Sequence, residues 1–268
     1  MKVGKSVLLT VCGLFAVLYF SILALVYFNQ EALIFHPEKL DMDYKFTYLD
    51  SFEEINIKTN DGVLLNGLLF KAENAKGLVF YLHGNGGTLE TWGNFSKEYT
   101  NLGYDIFILD YRGYGKSGGE IESEVQFNDD INTAYKTMLK RYNESKVIVV
   151  GYSIGTGPAT YLASTSKPKI LILQAPYYSL SELSDSRVPF VPDFIKKYKF
   201  ETNTFITKVK CPVYIFHGDK DRVIIYDNSV KLSKLLKKGD QFFTLENQDH
   251  LNINNNETYL SQLKNILD

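Results

Sequence analysis

The sequence predicts an α/β protein with a mostly parallel β-sheet and helices on both faces. From residue 77 to the C-terminus, short apolar runs alternate with segments of helical spacing, a pattern typical of parallel sheets with crossover helices. The run at residues 77–82 (Gly-Leu-Val-Phe-Tyr-Leu) carries no charge, as expected of a strand that is buried on both faces. The 268 residues accommodate one such domain of about 240 residues and a targeting segment.

Composition excludes several classes of function. The chain is 45% hydrophobic and 22% charged, which is ordinary for a globular protein. A net charge of −2 gives no electrostatic basis for a nucleic-acid partner. Two cysteines, Cys12 and Cys211, form neither a disulfide framework nor a metal-ligand cluster. We therefore expect no metal site and no nucleic-acid partner.

The N-terminal segment is expected to be a membrane anchor over residues 1–29. Residues 7–28 carry no charge, and this run is too long for the apolar region of a cleaved signal peptide. Lys2 and Lys5 precede it, whereas Glu31 and Glu38 are among the charges that follow. The positive-inside rule then places the N-terminus in the cytoplasm and the remaining domain on the non-cytoplasmic side.

The rest of the chain divides into a juxtamembrane connector (residues 30–45), in which Pro37 interrupts regular helix, and a domain at residues 46–268. An Asn-Asp-Gly turn at residues 60–62 predicts a hairpin ahead of the parallel strands. Strands are predicted at residues 52–59, 63–70, 77–82, 105–109, 146–150, 169–174, 213–216 and 241–245, and helices at 89–102, 125–142, 154–163, 227–236 and 253–267.

Residues 176–210 interrupt the alternation of strands and helices and contain three of the seven prolines. An insertion of this length between two strands predicts a lid or binding loop. Its basic cluster at residues 196–199 (Lys-Lys-Tyr-Lys) is interpreted as a solvated helix face. Contact with anionic lipid headgroups is the functional alternative.

A nucleophile is predicted at Ser153. It lies in Gly-Tyr-Ser-Ile-Gly at residues 151–155, directly after an apolar strand. Gly-x-Ser-x-Gly between a strand and a helix is the nucleophile-elbow pattern, in which a sharp turn exposes the serine hydroxyl. A serine hydroxyl becomes a useful nucleophile only when a neighbouring base takes its proton.

Histidine is the usual base, and the sequence has four. His36 lies near the anchor, and His83 and His217 end predicted strands ahead of the serine or the acid. His250 follows the last predicted strand, which fits the chain order serine, acid, histidine. Between Ser153 and His250, both Asp219 and Asp221 occupy suitable positions for the acid.

Two backbone N–H groups are expected to bind the oxyanion that forms during acyl transfer. One belongs to Ile154, the residue after the nucleophile, and the other to Asn85 in the glycine-rich loop at residues 83–87. This loop matches neither G-x-x-x-x-G-K nor G-x-G-x-x-G, so a phosphate-binding role is disfavoured.

Four separated motifs carry a resemblance to the α/β-hydrolase superfamily: His-Gly-Asn-Gly-Gly at 83–87, Asp-Tyr-Arg-Gly-Tyr-Gly-Lys-Ser at 110–117, Gly-Tyr-Ser-Ile-Gly at 151–155 and His-Gly-Asp-Lys-Asp at 217–221. The resemblance extends from about residue 46 to the C-terminus. Within the superfamily, the chain is most similar to the short-lidded, often membrane-anchored serine hydrolases of the serine aminopeptidase-like and protein-depalmitoylase branches. This resemblance is the basis of the expectations that follow. It implies an α/β-hydrolase fold, Asp221 as the acid, and structural rather than catalytic roles for Arg112 and Ser117.

The resulting hypothesis is a serine hydrolase that needs no metal or organic cofactor and cleaves carboxylic esters or thioesters. The expected substrate is a small or lipid-like acyl compound, and the aromatic insertion favours apolar acyl groups. The animal depalmitoylases carry an N-terminal cysteine cluster that this chain lacks. Peptide cleavage, acyl transfer and a catalytically idle, membrane-anchored binding module remain alternatives, and the oligomeric state is left open.

Overall fold

A single sheet organises the chain. The computed structural model describes residues 2–268, with side chains from residue 4 onward, so Met1 of the predicted anchor lies outside the described residues. Within this part, eight strands lie in the order β1-β2-β4-β3-β5-β6-β7-β8. The strands are β1 (Phe52–Lys58), β2 (Leu64–Phe70), β3 (Gly77–Leu82), β4 (Tyr104–Leu109), β5 (Val147–Tyr152), β6 (Ile170–Gln174), β7 (Val213–Gly218) and β8 (Gln241–Leu245).

The sheet is antiparallel at one edge and parallel elsewhere. β1 and β2 form the predicted hairpin, and Gly62 in its turn has a φ of +92°, a left-handed conformation that glycine adopts without strain. β2 is antiparallel to β4, whereas all later neighbours are parallel. The mostly parallel sheet is confirmed, and the parallel strands bring their carboxyl ends to one edge.

Helices cover both faces of the sheet, as predicted. Alternate residues of β3 point into two separate hydrophobic cores, as the two-residue period of a strand requires. One core receives α5 and α6, and the other receives α4 and α10. The helices are α1 (Lys2–Phe28), α2 (Gln30–Ile34), α3 (Leu89–Trp92), α4 (Ser96–Thr100), α5 (Glu124–Leu139), α6 (Thr156–Thr165), α7 (Leu180–Asp185), α8 (Thr202–Ile206), α9 (Asp227–Ser233) and α10 (Glu257–Leu267).

The helix predicted at residues 89–102 is wrong as a single element. It is divided into α3, a 3-10 turn at Gly93–Phe95, and α4. Glycine is a weak helix former, and Gly93 packs so closely on Tyr48 that an added Cβ would lie 2.5 Å from the phenol oxygen. The contact with Tyr48 therefore requires glycine at position 93, and this glycine weakens the helix there.

The helix predicted at residues 253–267 begins later than expected. Ile253–Asn255 form a 3-10 turn, and α10 starts at Glu257 after Asn256. The Asn256 side chain accepts a hydrogen bond from the Tyr259 amide at 3.0 Å. An N-cap of this kind satisfies an amide that has no partner inside the helix, which explains the boundary.

The N-terminal helix is long and apolar enough, over Gly4–Phe28, to cross a membrane, and only 6% of its most apolar stretch is buried. By length and composition it is a candidate span. The connector that follows is not simply extended, because it begins with α2, which ends ahead of Pro37. Gln30 at the start of α2 is buried.

The interpretation of residues 196–199 as a solvated helix face is wrong. None of these residues is helical. Lys196 is buried between the carboxylates of Asp185 and Asp193, at 2.5 and 2.6 Å. Lys197 pairs with Glu31 of the connector at 3.1 Å. Lys196 and Lys197 are held by carboxylates because the insertion folds back on itself and on α2, whereas Lys199 is exposed.

Candidate active site

Ser153 lies on a sharp turn between β5 and α6. Its φ is +52°, a conformation that costs about 1–3 kcal/mol for a non-glycine residue and clusters at functional sites. The flanking residues are glycines because neighbouring atoms lie where a side chain would be. A Cβ at Gly151 would lie 2.7 Å from the Ala159 Cβ, and one at Gly155 would lie 2.7 Å from the His83 carbonyl oxygen.

The structure brings Ser153, His250 and Asp221 together from three separate loops. The Ser153 Oγ lies 2.9 Å from His250 Nε2, and His250 Nδ1 lies 2.7 Å from Asp221 Oδ2. Because the carboxylate only accepts, Nδ1 carries the proton that it donates to Asp221 and Nε2 accepts from the serine hydroxyl. All three residues are at least nine-tenths buried.

Asp221 is held ionised by four donors. Burial alone would raise its pKa, but hydrogen bonds from His217, His250 and the Ile224 amide outweigh burial and hold the pKa of the carboxyl well below its usual range. The Val223 and Ile224 amides donate to Oδ1 at 2.8 and 2.9 Å. The site therefore contains a fixed negative charge next to the His250 ring.

His217, which chain order disfavours as the base, is a direct neighbour of Asp221. Its Nε2 lies 3.1 Å from Asp221 Oδ2 and 2.8 Å from the Ile224 carbonyl oxygen. Since both partners accept, Nε2 carries the proton, and Nδ1 accepts from the Ser229 hydroxyl at 2.6 Å. The four-residue spacing between His217 and Asp221 was visible in the sequence.

Asn85 is fixed in place by its side chain. Its Nδ2 donates to the Ile34 carbonyl at 2.6 Å, and its Oδ1 accepts from the Tyr114 hydroxyl at 2.7 Å and from the His36 amide at 3.0 Å. Among the described residues, the Asn85 backbone N–H donates to no protein group. The Asn85 side chain is therefore held at three points, and within the described part of the chain the backbone amide is left as a free donor.

Ser153, Ile154 and Asn85 line one cavity of about 350 Å³, within the usual volume range of ligand sites. Most of its wall is apolar and comes from the insertion and the N-terminal segment. This contribution from α1 and α2 was not predicted from the sequence. The further wall residues are Val26, Gln30, Leu33, Ile34, His36, Tyr177, Leu180, Leu183, Ser184, Arg187, Val188, Val191, Lys196, Tyr198, Val223 and Ile224.

The other candidates lie outside the hydrogen-bonded group of Ser153, His250 and Asp221. His83 is fully buried with its Nε2 3.5 Å from Asp110 Oδ1. Asp219 has its carboxylate 3.4 Å from the Lys220 amine rather than on His250. Arg112 is held between Asp61 and Asp130, at 2.8 and 2.7 Å. The geometry thus separates Asp221 from Asp219.

The fold, together with a serine on a strand-to-helix elbow, defines the class of α/β-fold serine hydrolases. A family model described as "Serine aminopeptidase, S33" matches residues 73–206. The alpha/beta hydrolase domain-containing protein 17B of Xenopus tropicalis is 31% identical over 240 residues, covering 86% of this chain and 80% of that protein. Its Homo sapiens counterpart is 30% identical with the same coverage.

Solved structures agree on the fold. An esterase of Pyrococcus furiosus superposes with a TM-score of 0.69 at 19% identity, covering 87% of this chain and 98% of that chain. An alpha-beta serine hydrolase homologue from Coxiella burnetii gives a TM-score of 0.61 at 19% identity, over 82% and 98% of the two chains. The chain belongs to the serine aminopeptidase, S33, family of α/β-hydrolases and is a hydrolase.

Proposed function

We propose that the protein hydrolyses carboxylic esters or thioesters through an acyl-enzyme formed on Ser153. The observation that carries the proposal is the unbroken series of hydrogen bonds from Ser153 through His250 to Asp221, because this arrangement supplies a nucleophile, a base and an orienting acid. The nucleophile also lines an apolar cavity, where an acyl group is readily accommodated.

In the first half-reaction, Ser153 Oγ attacks the substrate carbonyl carbon while its proton moves to His250 Nε2. The negative charge on the carbonyl oxygen is stabilised by the Asn85 and Ile154 amides. Collapse breaks the bond to the alcohol or thiol, which leaves with the proton from Nε2. Asp221 stabilises the charged imidazole throughout and does not itself become protonated.

In the second half-reaction, His250 takes a proton from water, and the resulting oxygen nucleophile attacks the acyl carbon. Returning that proton to Ser153 Oγ releases the carboxylic acid and restores the enzyme. The chemistry of these residues is complete without a metal or organic cofactor.

The cavity favours an ester over the N-terminus of a peptide. An aminopeptidase has to recognise a positively charged ammonium group, for which a carboxylate is the natural partner. Among the described residues, the cavity wall contains no aspartate or glutamate, and its one lysine or arginine without a carboxylate partner is Arg187. We therefore place ester or thioester cleavage ahead of peptide cleavage for this member of the family.

The direct test is hydrolysis of a short p-nitrophenyl ester by the full-length protein. Ser153→Ala is expected to reduce turnover by at least about a thousandfold, since removing the nucleophile leaves only oxyanion and binding effects. A matched variant, Ser186→Ala, removes an exposed hydroxyl that bonds only to the Leu183 carbonyl and is expected to retain activity. Equal turnover by wild type and Ser153→Ala would contradict the proposal.

We further propose that residues 1–29 anchor the protein in a membrane, that residues 30–45 form the connector, and that residues 46–268 form a hydrolase domain on the non-cytoplasmic side. The support is the apolar span at Gly4–Phe28 and the lysines that precede it. Protease added to the non-cytoplasmic side of sealed membranes is expected to digest the domain. Complete protection there, with digestion from the other side, would reverse the orientation.

A further inference from the structure

One face of the N-terminal segment is attached to the insertion. Tyr19, Leu23 and Val26 follow one another at intervals of four and three residues, which places them on one side of α1, and Gln30 begins α2 just after it. Tyr19 donates its hydroxyl to the Phe190 carbonyl at 3.0 Å, and Gln30 Nε2 donates to the Ile195 carbonyl at 2.8 Å. Leu23 on this face is 7% exposed.

The part of the insertion that Tyr19 contacts is a short apolar segment between Arg187 and Asp193. Residues 188–192 read Val-Pro-Phe-Val-Pro, and the Phe190 and Phe194 side chains are 50% and 84% exposed. Prolines have no N–H group to satisfy, and Tyr19 provides a donor for the Phe190 carbonyl. Both features suit a segment in hydrocarbon, where unsatisfied backbone groups are costly.

The depth of the contact follows from helix geometry. Tyr19 precedes the end of α1 at Phe28 by nine residues, which is about 13 Å along the helix axis. If α1 crosses a bilayer, the hydrocarbon layer is about 30 Å thick, so Phe190 lies beside α1 well below the polar surface. Residues 188–192, which we call the tip, then dip into the bilayer.

The cavity extends from the tip to the nucleophile. Val188 and Val191 of the tip and Val26 of α1 line the same cavity as Ser153. The charge of Lys196, also in the wall, is neutralised by Asp185 and Asp193. The side chains therefore define a mostly apolar route from the tip to Ser153.

We propose that this route is an acyl-chain site that fills from the plane of the bilayer. The long acyl chain of a membrane-resident ester or thioester enters between Val26 and the tip, and its carbonyl carbon reaches Ser153. This inference rests on the proposed hydrolase function and adds the substrate class and its direction of entry. The N-terminal helix is thereby a wall of the binding site as well as an anchor.

The test uses the full-length protein in phosphatidylcholine vesicles with two substrates, p-nitrophenyl palmitate in the bilayer and p-nitrophenyl acetate in water. Val26→Trp fills the route, and its ratio of palmitate to acetate turnover is expected to fall by about tenfold or more. The matched control, Leu25→Trp, alters a side chain on the same turn that is 66% exposed. Its ratio is expected to stay within about twofold of the wild-type value.

The outcomes separate this inference from the function on which it rests. If the wild type turned over neither substrate, the hydrolase function itself would be contradicted. Acetate turnover without palmitate turnover, or equal ratios in the two tryptophan variants, would leave the function standing and overturn entry from the bilayer. Release of fatty acid from a phospholipid or from an S-palmitoyl peptide in the same vesicles would support the inference and identify the source of the chain.

A second measurement does not depend on activity. Phe190→Trp places an indole in the tip. Lipids with brominated acyl chains are expected to quench the fluorescence of this variant more strongly than that of the wild type, whose single tryptophan is Trp92. Leu49→Trp is the control, because Leu49 is 95% exposed and lies far along the chain from the tip. Quenching no greater at position 190 than at position 49 would place the tip in water and overturn the proposal.

Discussion

His217 and His250 donate to the same carboxylate oxygen. His217 Nε2 lies 3.1 Å and His250 Nδ1 lies 2.7 Å from Asp221 Oδ2. The first of these contacts gives Asp221 a second ring donor beside His250 and restrains its rotamer. We infer that His217 is a positioning residue, which acts on the reaction only through Asp221.

Removing this donor is expected to slow catalysis. Hydrogen bonds to charged groups contribute about 1.5–3 kcal/mol, so His217→Leu should reduce kcat about tenfold to a hundredfold with little change in KM. His217→Gln retains an N–H near the position of Nε2 and should recover most of this loss. Equal kcat values for the leucine and glutamine variants would contradict a role through hydrogen bonding.

The identity of the acid is tested by a pair of aspartates in one loop. Asp221→Asn replaces the carboxylate that accepts the His250 Nδ1 proton with an amide, whose NH₂ group favours the tautomer protonated on Nε2. A loss in kcat of about a thousandfold to ten-thousandfold is expected. Asp219→Asn alters a carboxylate that contacts Lys220 instead, and kcat should stay within about threefold. Steady-state kinetics with a p-nitrophenyl ester measures both. A larger loss from Asp219→Asn would reassign the acid.

The low pKa of Asp221 predicts a pH dependence of stability. Its folded-state pKa is depressed, so its contribution to the free energy of unfolding is complete above its unfolded pKa of about 4 and is lost as the pH falls through the folded value. The difference in free energy of unfolding, wild type minus Asp221→Asn, should be constant between about pH 5 and 7 and decrease below about pH 4.

Urea unfolding in detergent measures this difference, and fluorescence of the single tryptophan, Trp92, reports on the region because its ring lies 5.4 Å from that of Tyr152. The Asp219→Asn variant is the control for other groups that titrate in the acid range. A difference that grew on acidification would mean that burial, which favours the neutral form, outweighs the four donors.

The elbow glycines are expected to be intolerant of a methyl group. In Gly155→Ala the new Cβ would press on the Leu82 and His83 carbonyl oxygens, which are backbone atoms and cannot rotate away. A destabilisation of about 1–3 kcal/mol or more is expected. At Gly118 the nearest atom to an added Cβ is 3.5 Å away, so Gly118→Ala should change stability by about 0.5 kcal/mol or less. Thermal melts of both variants compare the two sites, and matching Tm values would contradict the packing argument.

Much of the fold was predictable because its signals are local. Alternating apolar and polar residues located β1, apolar runs located the parallel strands, and the Asn-Asp-Gly turn located the hairpin. The proximity of Ser153, Asp221 and His250 followed from chain order, since the carboxyl ends of parallel strands share one edge of the sheet. These three residues are far apart in sequence, but each follows a strand whose carboxyl end lies at that edge.

The remaining features depend on contacts that leave no periodic signal. Gln30 bonds to residues 195 and 197 of the insertion, and no property of either segment alone indicates that they meet. The basic residues at 196–199 suggested a solvated surface, but Lys196 pairs with Asp185 and Asp193 of the same insertion and Lys197 pairs with Glu31 of the connector. These pairs depend on how the insertion folds on itself and on α2, which no periodic pattern indicates. For the same reason, the N-terminal helix was predicted as an anchor but not as part of the cavity wall.

The most direct measurement is mapping of the reactive serine with a fluorophosphonate probe, which reacts covalently with serines activated by a base. We expect complete labelling of the wild-type protein, with the modified peptide carrying the probe on Ser153, and no labelling of Ser153→Ala. Ser184 provides an internal comparison, because it lines the same cavity while its hydroxyl donates to the Ser181 carbonyl. A probe found on Ser184, or an unlabelled wild-type protein with an intact fold, would contradict Ser153 as the nucleophile.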